Sequence, residues 1–185
     1  MVSVSGKKAS SADNQQERQD YYLGWITGFV DGEGCFSVGV FRNRILKSGW
    51  QVFPEFVVTQ GEKSLFALEE LQKFFECGKI FINKRYDNHR EPLYRYCVRS
   101  TKDIREKIIP FFRKYPLRTA KQNDFKRFTR ILEMMERKIH LTEDGMKKIA
   151  KIVEQMNRKK PSQYLESSET IRRTAALNVL SARKI

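Results

Sequence analysis

The sequence predicts an α+β fold in the order α-β-β-α-β-β-α, followed by further helices. Three observations carry that expectation. At Gly34 the hydrophobic period changes from the helical spacing of Leu23, Ile26, Phe29 and Val30 to the alternation of Phe36, Val38 and Val40. Short alternating segments then come in two pairs, and an amphipathic helical stretch separates the pairs. From Thr101 onward the apolar residues return to helical spacing.

Taken in order, a first helix runs from Tyr21 to about Asp31. The first strand follows, with Phe36, Val38 and Val40 on one face and Ser37, Gly39 and Phe41 on the other. The polar turn "RNRILKSG" leads to a second strand, "WQVFPEFVVTQ", in which Pro54 lacks the N–H a ladder needs and so predicts an irregular or edge position. Leu65, Leu68, Leu71, Phe74 and Phe75 make the second helix, closed by Gly78. Strands "KIFINKRYDN" and "PLYRYCVRS" flank the turn-like "DNHREP". A third helix opens at Thr101 or Lys102-Asp103, carries Ile104, Ile108, Ile109 and Phe112, and is kinked or shortened by Pro110. A fourth places Phe125, Phe128, Ile131, Leu132 and Met135 inward. Thr142 caps the next, and Ser167 or Ser168 a last basic one. Residues 1–19 read as a flexible polar tail and residues 20–185 as one domain.

Charge narrows the function. The chain holds 36 Lys and Arg against 22 Asp and Glu, a net +14, the electrostatic footprint of a nucleic-acid binder. Three dispersed cysteines and two histidines argue against a structural zinc site and a disulfide framework. The apolar run from Leu23 to Val30 is too short to span a bilayer, and the N-terminus lacks the apolar core of a secretory signal, so neither membrane partner nor secretion is expected.

The chemistry concentrates in "GWITGFVDGEGCF", residues 24–36. Each glycine inside a helix costs roughly 1 kcal/mol relative to alanine. Gly24, Gly28 and Gly32, four residues apart, form one flat stripe on which a second backbone could approach closely. No other stretch of the chain repeats it, so the natural partner is the same helix of a second copy across a twofold axis. Glu33 then leaves the helix beside its symmetry mate, where two carboxylates and the helix dipole repel and divalent cations would relieve them. The simpler reading is a helix-to-strand turn, where Asp and Gly are common.

"ITGFVDGEG", Ile26 to Gly34, fills the nine positions of the LAGLIDADG motif in order, and the chain resembles the single-motif LAGLIDADG homing endonucleases encoded in group I introns. "FVVTQ" at Phe56–Gln60, "GKI" at Gly78–Ile80, Pro116 to Lys121 with Asp124, and "SSETIR" extend the similarity over about Tyr21 to Ala182. The resemblance implies the αββαββα fold with a saddle-shaped antiparallel DNA-binding sheet, here with extra C-terminal helices. It implies a homodimeric, site-specific endonuclease cutting a long, pseudo-palindromic double-stranded target with Mg²⁺, or another divalent ion such as Mn²⁺ or Ca²⁺. By the family pattern Glu33 and the Gly32 carbonyl hold the metal, Asp31 helps to end and cap the helix, and Gln60 and Lys121 complete the catalytic set. Four residues after Gln60, where close relatives can carry a basic residue, this chain has Ser64, preceded by Lys63.

If Phe36, Val38 and Val40 face the core, strand parity turns Ser37, Phe41, Asn43, Gln51, Phe53, Glu55, Val57, Lys79, Phe81, Asn83, Arg85, Arg95 and Cys97 toward DNA. Three phenylalanines on such a face are unexpected; they would meet thymine methyl groups, or else the register slips by one residue. A non-cleaving binder on the same fold, an intron RNA maturase or a transcription regulator, is the competing reading, with intron RNA as its partner. The resemblance places the protein in an organelle, chloroplast or mitochondrion, or in a prokaryotic cytoplasm.

Overall fold

Helix α1 (Ser11–Glu33) passes directly into strand β1 (Gly34–Arg42), and β2 (Trp50–Gly61) returns antiparallel to it. This computed structural model describes residues 11–46, 48–83, 92–157 and 162–166. Helix α2 (Leu65–Phe75) and strands β3 (Lys79–Asn83) and β4 (Leu93–Val98) come next. Then follow α3 (Thr101–Asp103), a π-helical turn at Ile104–Ile108 and α4 (Ile109–Lys114), and finally α5 (Lys121–Glu136) and α6 (Glu143–Glu154). The expected α+β order, helical additions included, is the one observed.

The four strands make one antiparallel sheet in the order β1-β2-β4-β3. Its helix-facing side carries Phe36, Val38 and Val40 from β1, Val52, Phe56 and Val58 from β2, and Tyr96 and Val98 from β4, all buried. Phe36 is the hub of the core. Its ring lies 5.0 Å from Phe56, 5.1 Å from Phe125, 5.4 Å from Phe128 and 5.5 Å from Phe112, so one strand residue ties α4 and α5 to the sheet. Large rings in such offset and edge contacts bind better than their buried area alone suggests.

Several local expectations are corrected. Residues 11–19, expected as tail, extend α1, and Asn14–Asp20 are exposed along it. Pro54 stands at a locally open edge, as expected, although the strand is regular there and β2 lies inside the sheet order. The bond from Asn43 N–H to the Gly49 carbonyl fixes the alternation of the β1–β2 ladder. Counted from there, Val38–Pro54 is a non-hydrogen-bonded pair, and β4 on the other side reaches only as far as Phe56. The missing N–H is therefore not needed. Pro110 does not end its helix; the π-helical turn immediately before it supplies the slack for a ring that would otherwise crowd the carbonyl four residues back. The helical run opens at Thr101 as expected, with Ser100 before it accepting from Asp103 N–H, and Thr142 caps α6 as expected, accepting from Gly145 N–H. The last basic helix, the "DNHRE" turn and Arg85 lie outside the described residues.

Candidate active site and nucleic-acid face

The C-terminal end of α1 is fastened to the N-terminal end of α5. Asp31 accepts from Arg118 N–H (2.7 Å), from Thr119 N–H (3.1 Å) and from the Thr119 hydroxyl (2.6 Å). Burial works against ionising this carboxyl, but the bonds from Thr119 and Arg118, with the charge of Lys121, outweigh it and hold its pKa below the ordinary aspartate value. Asp31 thus caps and anchors, as expected. It does so by binding the turn before α5, a partner no local pattern indicates.

Lys121 begins α5 and reaches back across this joint. Its Nζ donates to the carbonyls of Val30 (2.9 Å) and Gly32 (3.0 Å), placing a cation at the negative end of the α1 dipole. Burial pushes its pKa down against the pull of Asp31, Glu33 and Asp124. Glu33 lies one residue beyond Gly32, exposed, with no hydrogen bond or ion pair among the described residues. Gln60 is half-buried near the inner end of β2, two residues past Val58, which pairs with Gly34. The three expected catalytic positions therefore gather around the α1–β1 junction: Glu33 and Lys121 directly, Gln60 through the β1–β2 register.

The donors here suit a hard divalent cation. Glu33 offers an unpartnered carboxylate and Gly32 a carbonyl, both oxygen ligands. Among the described residues no three His, Cys, Asp or Glu side chains converge. The glycine stripe has no partner among the described residues. A Cβ added at Gly24, Gly28 or Gly32 would meet nothing within 4 Å, and all three are exposed. No helix among the described residues is long and apolar enough to cross a membrane.

The far side of the sheet carries the residues expected to meet DNA, and its register is not slipped. Ser37 pairs with Glu55, Phe41 with Gln51, Lys79 with Cys97 and Phe81 with Arg95, which puts all of them on the face opposite the helices. Phe41 and Phe81 are 53% and 43% exposed, so the unexpected rings do stand on this surface. Asn43 lies just past β1 and bonds Gln51 through its side chain at 2.9 Å. Three of the expected contacts stand in surroundings the parity did not show. Cys97 has the right parity but is only 3% exposed, and Val57 beside it is also buried, because neighbouring side chains cover the sheet's centre. Glu55 is occupied by arginines. Arg99, which continues the parity of Arg95 and Cys97 one step beyond β4, was not among the expected residues.

Asn157 is a further residue the sequence did not single out. In a left-handed conformation (φ 48°) just after α6, it donates from Nδ2 to the Phe36 carbonyl (3.1 Å) on the outer edge of β1 and from its N–H to Asp124 (3.4 Å). It closes the open edge of the sheet next to the site.

Comparison with known proteins agrees with this geometry. The family model described as LAGLIDADG endonuclease matches residues 26–132, which contain α1's end, the whole sheet and most of α5. The chain belongs to the LAGLIDADG endonuclease family. Among solved structures of the family, the homing endonuclease I-TnaI is 44% identical, with a TM-score of 0.70, over 80% of this chain and 97% of that one. The LAGLIDADG homing endonuclease I-SmaMI, bound to cleaved DNA, is 35% identical with a TM-score of 0.71, over 80% of this chain and 48% of that one. A probable intron-encoded endonuclease 2 of Neurospora crassa is 33% identical over 128 residues, 69% of this chain and 26% of its own length. The chain spans about a quarter of the length of the first curated relatives it matches.

Proposed function

We propose that this chain is a site-specific DNA endonuclease that hydrolyses phosphodiester bonds as a homodimer, with a divalent metal, at a long pseudo-palindromic intron-insertion site. The observation that carries the reading is the unpartnered Glu33 carboxylate, at the end of a helix whose glycine stripe is open, beside a lysine held against the same helix end. In a dimer about α1 the two Glu33 side chains and the two Gly32 carbonyls come together at the seam. There they would hold Mg²⁺ or a similar ion, which would supply charge to activate water and stabilise the leaving 3′ oxygen. The likeness to I-TnaI, a homing endonuclease 44% identical and covered almost whole by this chain, supports the endonuclease reading. That I-SmaMI was solved with cleaved DNA, and with an uncleaved target in the presence of calcium ions, supports DNA and a divalent ion as the partners here.

The chain's own residues do the rest. Asp31 and Lys121 fix where α1 ends, and hence where the carboxylates stand. The Lys121 ammonium, once it releases the Gly32 carbonyl, is within reach of the phosphate and can offset the charge that develops there. Gln60 would orient water from the β2 side. The two sheets of the dimer would lie in successive major grooves, with Ser37, Gln51, Lys79, Asn83 and Arg95 toward base edges.

The test is cleavage of plasmids bearing candidate insertion sites, with and without Mg²⁺, by wild type and Glu33→Gln. Metal-dependent double-strand cleavage by wild type is expected. Glu33→Gln should cut at least about 10²-fold more slowly, the scale of losing one charge-stabilising group, with a melting temperature near wild type because the exposed side chain makes no hydrogen bond or ion pair among the described residues. Equal cutting by the variant would remove Glu33 from the mechanism. Tight, specific binding without cleavage by wild type would instead identify the maturase or regulator reading.

A further inference from the structure

Glu55 is a carboxylate on a face expected to meet an anionic polymer, where a free acid would repel the phosphates. It is not free. Its side chain is 13% exposed; Oε1 accepts from Arg99 Nε at 2.6 Å and Oε2 from Arg95 Nη2 at 3.3 Å. The guanidinium of Arg99 also stands 5.8 Å from the centre of the Phe53 ring and 5.5 Å from that of Phe81. A single carboxylate beneath two arginines leaves the group with a net positive charge, and the aromatic rings that looked out of place on this surface become the walls that hold it.

The two arginines are held differently. Arg99 uses its Nε on Glu55, and its guanidinium carbon stands over the Phe53 and Phe81 rings. Neither of its η nitrogens makes a hydrogen bond among the described residues, and the side chain is 49% exposed. A hollow of about 220 Å³ lined by Lys79, Phe81, Cys97 and Arg99, among others, opens beside it. The free end of a guanidinium held in this way keeps two η nitrogens as a two-donor fork on a half-exposed side chain. Arginine otherwise loses about 2 kcal/mol of rotamer freedom on being ordered, and here the ordering is done before any ligand arrives. The matching acceptor pair on a duplex is O6 and N7 of guanine in the major groove. Arg95 spends one η nitrogen on Glu55 and keeps less of its fork.

We infer that Glu55, Phe53 and Phe81 position Arg99 to read one guanine in the DNA half bound by each subunit. Arg99 is the reading residue and Glu55 a positioning residue that touches no base. This rests on the proposal that the sheet binds DNA.

Selection from a randomised duplex library tests both, in calcium buffer, with wild type, Arg99→Ala, Arg99→Lys, Glu55→Gln and Glu55→Ala. Wild type should enrich a pool with guanine fixed at one position per half. Arg99→Ala should lose that preference alone, a fall of about 5- to 150-fold in discrimination at that position, the usual range for a good bidentate pair. Arg99→Lys, which keeps the charge but not the fork, should not restore it. Removing an acid from a DNA face by itself strengthens binding to every sequence alike. The inference therefore expects Glu55→Gln to relax the guanine preference without lowering overall affinity, and Glu55→Ala to relax it further. Identical pools for wild type and Arg99→Ala overturn the inference. So does a uniform loss of affinity in Arg99→Ala with a shallower salt dependence, which marks a phosphate contact. Should a Glu55 variant fail to fold, the two Arg99 variants decide the matter alone. If wild type enriches no duplex at all, it is the DNA-binding reading that fails.

Discussion

Lys121 shows how one side chain joins structure to chemistry. Its ammonium satisfies two carbonyls, Val30 and Gly32, that the end of α1 leaves without helical partners. Replacing it by Met keeps the length and apolar stem and removes only the donor. Lys121→Met should lose about 1–3 kcal/mol, the scale of a hydrogen bond to a charged group, seen as a fall of several degrees in melting temperature. Cleavage should fall far more than that loss of folded protein explains, while binding to target DNA persists. A variant that melts lower but cuts at the wild-type rate would leave Lys121 a structural cap only.

At the scale of elements, the chain is a set of helices whose ends are tied to one another by a few polar contacts. Asp31 ties α1 to α5, Asn157 ties the end of α6 to β1, and the turn Ile139–Leu141 joins α5 to α6. That last joint is tight. A Cβ at Gly145 would stand 1.9 Å from the Ile139 carbonyl oxygen, so Gly145→Ala must displace the start of α6 and should cost about 1–3 kcal/mol, read by chemical denaturation. His140 in the same turn has a buried Nδ1 without a hydrogen bond, and burial holds its pKa below the ordinary histidine value. Below about pH 6.5 the unfolded chain takes up this proton more readily than the folded one. The contribution is therefore complete above that pH and is lost as the pH falls through the depressed folded value. Melting temperature should drop between pH 7 and pH 5.5 in wild type, and His140→Gln, which cannot titrate, should flatten that drop.

On the scale of the molecule the decisive feature is what the described residues leave unpartnered: a glycine stripe and, at its end, a carboxylate. Because a side chain at Gly28 would meet nothing within the subunit, Gly28→Leu should leave the monomer's fold and melting behaviour near wild type. Across a close helix–helix seam the same side chain has no room. Sedimentation should then show wild type as a dimer and Gly28→Leu as a monomer, with DNA cleavage lost in parallel. A variant that remains dimeric would move the interface away from α1.

Much of this molecule could be read from the order of its residues, because the signals were local. The period change at Gly34, the strand parity that put Ser37, Phe53, Glu55 and Arg95 on one face, and the nine-residue motif ending in Glu33 and Gly34 depend only on neighbours along the chain. Where the outcome depended on residues far apart, spacing along the chain did not give the contacts, and only the resemblance brought Lys121 near Gly32. Asp31 finds Thr119 across 88 positions and Lys121 finds Gly32 across 89. Glu55 finds Arg99 across 44 and is turned from a candidate base reader into the floor beneath an arginine. Pro54 read as an irregular or edge position, and only the ladder's alternation and the end of β4 show that its missing N–H faces no partner. Periodicity sets which way a side chain points; only the packed sheet sets what it meets there, because contact is a property of three-dimensional distance and not of spacing along the chain.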